Sequence, residues 1–346
     1  MRVELAGLEV AFLATEARGE GLDQRRLSTA TRNGQVLRLG RGIYADPTRW
    51  PDDRVQRHRM MARAAGRAVD GCAVSHVSAA LLHGLPWPRT PLPRPSVTIE
   101  DQVRSRSPGS WMTLYRGELT PHHLEADDDI QRTTLARSVV DSARHLTVGD
   151  GLAMADSAVR AGLTTVTDLR TMRDFQRRWP GILRGEAVLS LLDPRRETWL
   201  ESWSAAAFHR MGLPRWIPQV VVHDTQGRFL GRVDGSWPGL GVVAEADGRG
   251  KYLGDVDPTL DRRPEAVASR VLAAGEREVG LRACGLGVVR WTTADITTRQ
   301  LLVEARWRSE VERTDPRRIR AHLTCSCCRA PLTSCDFGTD YGRAAA

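Results

Sequence analysis

The chain has 346 residues, 41% of them hydrophobic, with 50 Lys plus Arg against 42 Asp plus Glu and a net charge of +8. That length implies two or three domains with packed cores, and the lack of any run of about 18 apolar residues excludes a membrane-spanning helix. The positive charge favours an anionic partner, most simply DNA, and Glu4 and Glu9 sit where a signal peptide avoids acids, so a cytoplasmic location is expected.

Residues 1–50 read as a small helical unit closed by a hairpin. Leu5, Leu8, Phe12 and Leu13 follow helical spacing. Gly21-Leu22-Asp23 breaks the pattern, with Asp23 the N-cap of a second short helix. Leu22, Leu27 and Ala30 form the buried side of that helix; Gln24, Arg25, Arg26, Ser28, Thr29, Arg32 and Asn33 form its exposed side. Strand-like 36–39, the turn Gly40-Arg41-Gly42 and the return strand 43–45 complete the outline of a winged helix-turn-helix. Arg25, Arg26 and Arg32 on the helix, with Arg38 and Arg41 on the wing, are the candidate DNA contacts.

Residues 51–190 read as a mainly helical middle domain with a small β insertion. Helices are expected from Arg54 to Val69 and after Ser75, and the pattern is helical from Thr134 to about Arg178; 97–99 and 111–115 are strand candidates. Leu135, Val139, Val140, Ala143 and Leu146 make one apolar face. His76 and His83, in an apolar helix, read as packed or capping groups, and His122-His123 as surface loop. No phosphate loop, Gly-rich dinucleotide motif or repeat is present.

Residues 191–305 follow the order helix (197–211), three strands (219–223, 229–237, 241–245), helix (264–281), strand (287–291), with Asp295 placed to cap a closing helix. Asp234 lies on the second strand, Glu245 and Asp247 on the third, and Glu197 and Glu201 are one turn apart on the preceding helix. Carboxylates so grouped suit Mg²⁺ (or Mn²⁺), which takes hard oxygen ligands and retained waters and activates water against a phosphodiester. Lys251, the single lysine beside 49 arginines, follows these acids and is placed to orient water or neutralise a phosphate. The catalytic candidates are therefore Asp234, Glu245, Asp247, Lys251 and Glu201, with Asp234, Glu245 and Asp247 the metal ligands. Residues 306–346 form a basic, Cys-containing tail expected to be disordered, although His322, Cys325, Cys328 and Cys335 leave zinc as an alternative.

Several motifs carry a family resemblance. Glu197-x3-Glu201, Gly231-Arg232-Val233-Asp234-x2-Trp237-Pro238, Glu245-x-Asp247-Gly248-x2-Lys251-Tyr252, Glu276-Arg277-Glu278 with Leu281-Arg282, and Val289-Arg290-Trp291-x3-Asp295 resemble the PD-(D/E)XK nuclease superfamily. More closely they resemble the very-short-patch-repair-like endonuclease domain of actinobacterial proteins. Gly40-Arg41-Gly42-Ile43-Tyr44 is similar to the wing of AbiEi-like antitoxin N-terminal domains. Ser75-His76-x2-Ala79-Ala80-x3-Gly84-Leu85-Pro86 and Ala136-Arg137-Ser138-Val139-Val140-Asp141 resemble the segment that follows that wing.

The resemblance implies a multidomain α+β and α/β protein with a restriction-endonuclease-like C-terminal domain. It also implies a role in phage defence or a toxin–antitoxin-type system, with DNA and a toxin or regulatory protein as partners. One departure stands out. The superfamily places lysine two residues after the glutamate; here that position is Asp247 and the lysine arrives at 251. An endonuclease and a non-catalytic regulator or antitoxin on a degenerate nuclease fold both remain compatible with these motifs.

Overall fold

The computed structural model describes residues 3–87, 91–102, 109–247 and 264–332. The chain divides into two compact units, Met1–Thr147 with Ser157–Leu189, and Val148–Asp156 with Ser190–Ala346. The mixed α and β multidomain character expected from the sequence is observed.

The first unit begins with a three-stranded sheet in the order β1-β3-β2, from β1 (Ala11–Leu13), β2 (Leu37–Gly40) and β3 (Ile43–Ala45). Helices α1 (Ala14–Gly19) and α2 (Gln24–Arg32) lie between β1 and β2 in sequence. The helical spacing of Phe12 and Leu13 is overridden here. Ala11, Phe12 and Leu13 pair with Ala45, Tyr44 and Ile43, and all three are buried, which a strand against a hairpin allows and one helical face does not. Asp23 caps α2 as expected, its side chain accepting from the Arg26 amide at 2.7 Å. Leu27 and Ala30 join Leu8, Phe12, Leu22, Val36 and Tyr44 in one core.

The remainder of this unit holds α3 (Arg54–Ala68) and α4 (His76–Leu82), which surround β4 (Ala73–Val74). Strands β5 (Ser96–Ile99), β6 (Thr113–Arg116), β7 (Leu124–Asp127) and β8 (Ile130–Thr133) complete a sheet in the order β6-β5-β4-β8-β7. Five strands replace the small β insertion expected. The β7–β8 hairpin hides in the acidic run 125–129. Arg63 and Arg132 bind Asp127 at 2.9 and 3.4 Å, and Arg63 also reaches Asp128 at 3.2 Å, so the run is an anchored turn and not a solvated loop. Helices α5 (Leu135–His145), α6 (Val148–Arg160), α7 (Val166–Phe175) and α8 (Ile182–Leu191) follow; α6 and α8 cross the limits of the units.

The second unit is built on a sheet in the order β12-β11-β10-β9-β13. Helix α9 (Trp199–Arg210) precedes an antiparallel meander of β9 (Ile217–Asp224), β10 (Phe229–Trp237) and β11 (Val242–Asp247). Helix α10 (Pro264–Ala283) leads to β12 (Gly287–Thr292), which runs parallel to β11. Trp216, Trp237, Trp291 and Phe208 pack together beside this sheet. Gly235 is required there, because a Cβ at that position would come within 1.9 Å of the Trp216 ring.

Helix α11 (Thr293–Thr298) starts at Thr292, with Asp295 completing a capping box and not forming the cap itself. Helix α12 (Gln300–Arg313) and β13 (Ala321–Cys325) follow. The expectation of a disordered tail from 306 fails for 306–332. Val303 and Trp307 of α12 are buried, and β13 pairs antiparallel with β9 from Ala321 opposite Asp224 to Cys325 opposite Val220.

Candidate nucleic-acid interface and acidic centre

The head presents a basic surface. Burial of Leu27 and Ala30 turns Arg25, Arg26 and Arg32 outward on α2, and Arg38 and Arg41 are exposed on the β2–β3 hairpin. Between Asp23 and Asp46 the chain has these five arginines and no acid. Arg26 is partly committed, donating to the Gly21 carbonyl at 2.6 Å, while Arg32 reaches the Thr29 hydroxyl at 3.4 Å. Gly42, at φ 77°, closes the turn that carries Arg41.

The acids of the second unit come from adjacent strands. Gly235 pairs with Ala244 and Ser236 with Val243, so continuation of the ladder sets Asp234 across from Glu245. Both are buried, and Asp234 accepts the Ala246 amide at 2.8 Å. Arg277 of α10 lies 3.3 Å from Glu245. Asp247 is bound in bidentate fashion by Arg290 at 2.8 and 3.1 Å, and Arg290 also binds Glu278 at 3.1 Å.

Glu201 belongs to the N-terminus of α9. Its carboxylate accepts from the Thr198 hydroxyl at 2.7 Å, the Gln219 amide at 2.8 Å and the Glu197 backbone at 3.1 Å. Burial, reinforced by the charge of Asp234, raises its pKa to about 7. Gln219 holds this arrangement from a left-handed backbone, at φ 54°.

Each of these acids is engaged by neighbouring protein groups. Among the described residues no three carboxylates bring ligand atoms within 4.8 Å of one another; Cys325, Cys327 and Cys328 do. Asp247 in particular serves Arg290, a pairing that strand alternation alone does not foretell because β12 is distant in sequence. Lys251 and Cys335 lie outside the described residues.

A further cluster went unrecognised in the sequence. A cavity of about 350 Å³ in the first unit is lined by His76, Tyr115, Arg137, Asp141, Arg144 and Trp179, among others. Arg137, Asp141 and Arg144 recur at helical spacing on the side of α5 opposite Leu135, Val139 and Ala143, and are buried there. In the sequence they read as the polar side of an amphipathic helix, so no local signal marked them.

No protein-family model matches the chain, and no curated protein does. A solved structure titled "Crystal structure of RV2827C protein from Mycobacterium tuberculosis" matches with TM-score 0.33 and 13% identity, covering 54% of this chain and 77% of that one. A likeness at that level carries no functional argument.

Proposed function

We propose that the protein binds DNA through its head, with α2 addressing the major groove and the β2–β3 turn resting on the phosphate backbone as a winged helix-turn-helix does. Its second unit then acts as a non-catalytic, nuclease-like PD-(D/E)XK fold that holds nucleic acid or a toxin or regulatory partner, in phage defence or a toxin–antitoxin-type system. The single observation that carries this is the acid-free stretch between Asp23 and Asp46, whose five arginines are all exposed on one helix and its neighbouring hairpin. The order helix, three-strand meander, helix, parallel strand supports the nuclease-like assignment. The pairing of Glu245 with Arg277 and of Asp247 with Arg290 supports a binding role over catalysis. The test is DNA affinity against salt. Arg41→Ala should reduce the log–log slope by about 0.9, the contribution of one phosphate contact. A slope unchanged in an Arg25→Ala/Arg41→Ala double variant would sink the head as the DNA-binding element.

A second function, Mg²⁺- or Mn²⁺-dependent endonuclease, is favoured by one observation. Burial, with the charge of Asp234 added to it, raises the Glu201 pKa to about 7, and Asp234 lies across the ladder from Glu245. Plasmid cleavage with Mg²⁺ and Mn²⁺ decides between the two. Cleavage that Asp234→Ala and Lys251→Met both remove establishes the enzyme, and an inert wild type under both metals rejects it.

A further inference from the structure

The cavity of the first unit is unlike the acidic centre, because among the described residues its buried charge is only partly matched. Arg137 is 1% exposed, Asp141 1%, His76 4% and Arg144 6%. Two guanidiniums share one carboxylate: Arg137 binds Asp141 at 2.6 Å and Arg144 binds it at 3.2 Å. Burial opposes the ionisation of Asp141, but the guanidiniums of Arg137 and Arg144 hold its pKa below the usual carboxylate range. Burial keeps His76 neutral, its pKa lowered to about 3. The interior therefore carries one positive charge in excess.

Three nitrogens of this cluster, His76 Nε2, Arg137 Nη1 and Arg144 Nε, have no hydrogen-bond partner among the described residues. A buried donor left without an acceptor keeps its full cost of desolvation, and a charged one keeps more. His76 is also fixed in place. Ser75 Oγ engages its Nδ1 at 2.9 Å, Tyr115 stacks on its ring at 3.7 Å, and its backbone sits at φ 54°, a conformation disfavoured outside glycine. Arg137 and Arg144 are held over the Trp179 ring at 4.5 and 5.1 Å. Such fixed, aromatic-backed guanidiniums suit a tetrahedral oxyanion, which accepts from several directions at once.

The rim narrows the choice. Asp101, Arg116 and Glu118 also line the cavity and are exposed. The two acids disfavour a broad polyanion, whereas a single compact anionic group reaches the floor. We propose that this cavity is a binding site for a phosphomonoester group, carried by a small molecule or by the end of a nucleic acid. The site is separate from both the basic head surface and the acids of the second unit.

The test is calorimetry on the full chain with inorganic phosphate, adenosine 5′-monophosphate and acetate at millimolar concentration. Phosphate and the nucleotide should bind saturably at one competing site, and Arg144→Gln, with its helical signal intact, should weaken both by about 10-fold or more, as loss of one charge-assisted bond implies. If Arg144→Gln does not fold, His76→Asn takes its place, since asparagine tolerates the left-handed backbone, and the same loss is expected. A 5′-phosphorylated oligonucleotide that displaces phosphate, where its unphosphorylated form does not, assigns the group to a nucleic-acid end; failure of both to displace it assigns the group to a small molecule. Absence of phosphate binding, binding unaltered in the folded variant, or equal binding of acetate overturns the proposal.

Discussion

Two buried ionic clusters, one in each unit, use the same residue types and end in different states. In the second unit Asp156 receives four donors: Arg196 at 2.7 and 3.2 Å, the Ser202 hydroxyl at 2.7 Å and the Asp193 amide at 2.8 Å. One guanidinium meets one carboxylate, and the carboxylate is saturated. In the first unit two guanidiniums meet one carboxylate, and nitrogens at the wall of a cavity have no partner among the described residues. Counting bonds therefore separates a brace from a receptor where residue identity does not. The acidic centre sits nearer the brace, since Arg277 and Arg290 are already bound to Glu245 and Asp247.

Three measurements test that contrast. The largest effect is expected at the brace. Arg196→Met leaves Asp156 buried without its cation and should cost about 3–5 kcal/mol of unfolding free energy in urea denaturation. A loss below about 1 kcal/mol would mean that Asp156 does not depend on the pair.

The second uses pH, because the two units should respond with opposite sign. His58, bonded to the Ser78 hydroxyl at 2.8 Å, has its pKa lowered by burial to about 4, and His76 behaves likewise. Their neutral forms stabilise the fold fully above the unfolded value of 6.5, and that stability is lost as pH falls from 6.5 toward 4. Glu201 is the reverse. Its raised pKa means stability present below about 4.5 and lost as pH rises through about 7. Hydrogen exchange followed by segment should show α4 opening more readily on acidification while α9 becomes better protected. Parallel changes in both helices would contradict it.

The smallest effect is expected at Arg290. This pair is partly exposed, so Arg290→Met should destabilise by only about 1 kcal/mol in thermal unfolding. No change at all would return Asp247 to candidacy as a ligand.

How far the sequence could be read follows from where each signal resides. The strands of the second unit were legible because apolar runs at 219–223, 229–237 and 287–291 are bounded by Gly and Pro. The N-cap at Asp23 and the outward arginines of α2 followed from local chemistry. The acid identities were legible too, but their partners were not: Arg290 reaches Asp247 only because β12 returns parallel to β11. The sheet of the middle segment escaped because β4 has two residues and β7 is written in acids. His76 looked like a packed histidine, and it is packed; what the sequence withheld was the two arginines seven residues apart on α5 that meet it in one cavity.

The position of β13 also bears on how the second unit is handled as a fragment. The apolar pattern suggests a domain that ends near 305, yet β13 supplies the outer neighbour of β9. Cutting at 305 would strip that neighbour and leave residues 220–224 of β9, Val-Val-Val-His-Asp in the sequence, presenting unpaired amides and carbonyls. Such an edge templates addition of another chain. A fragment stopping at 305 is thus an invitation to self-association through β9, while one that runs past 332 carries its own edge guard.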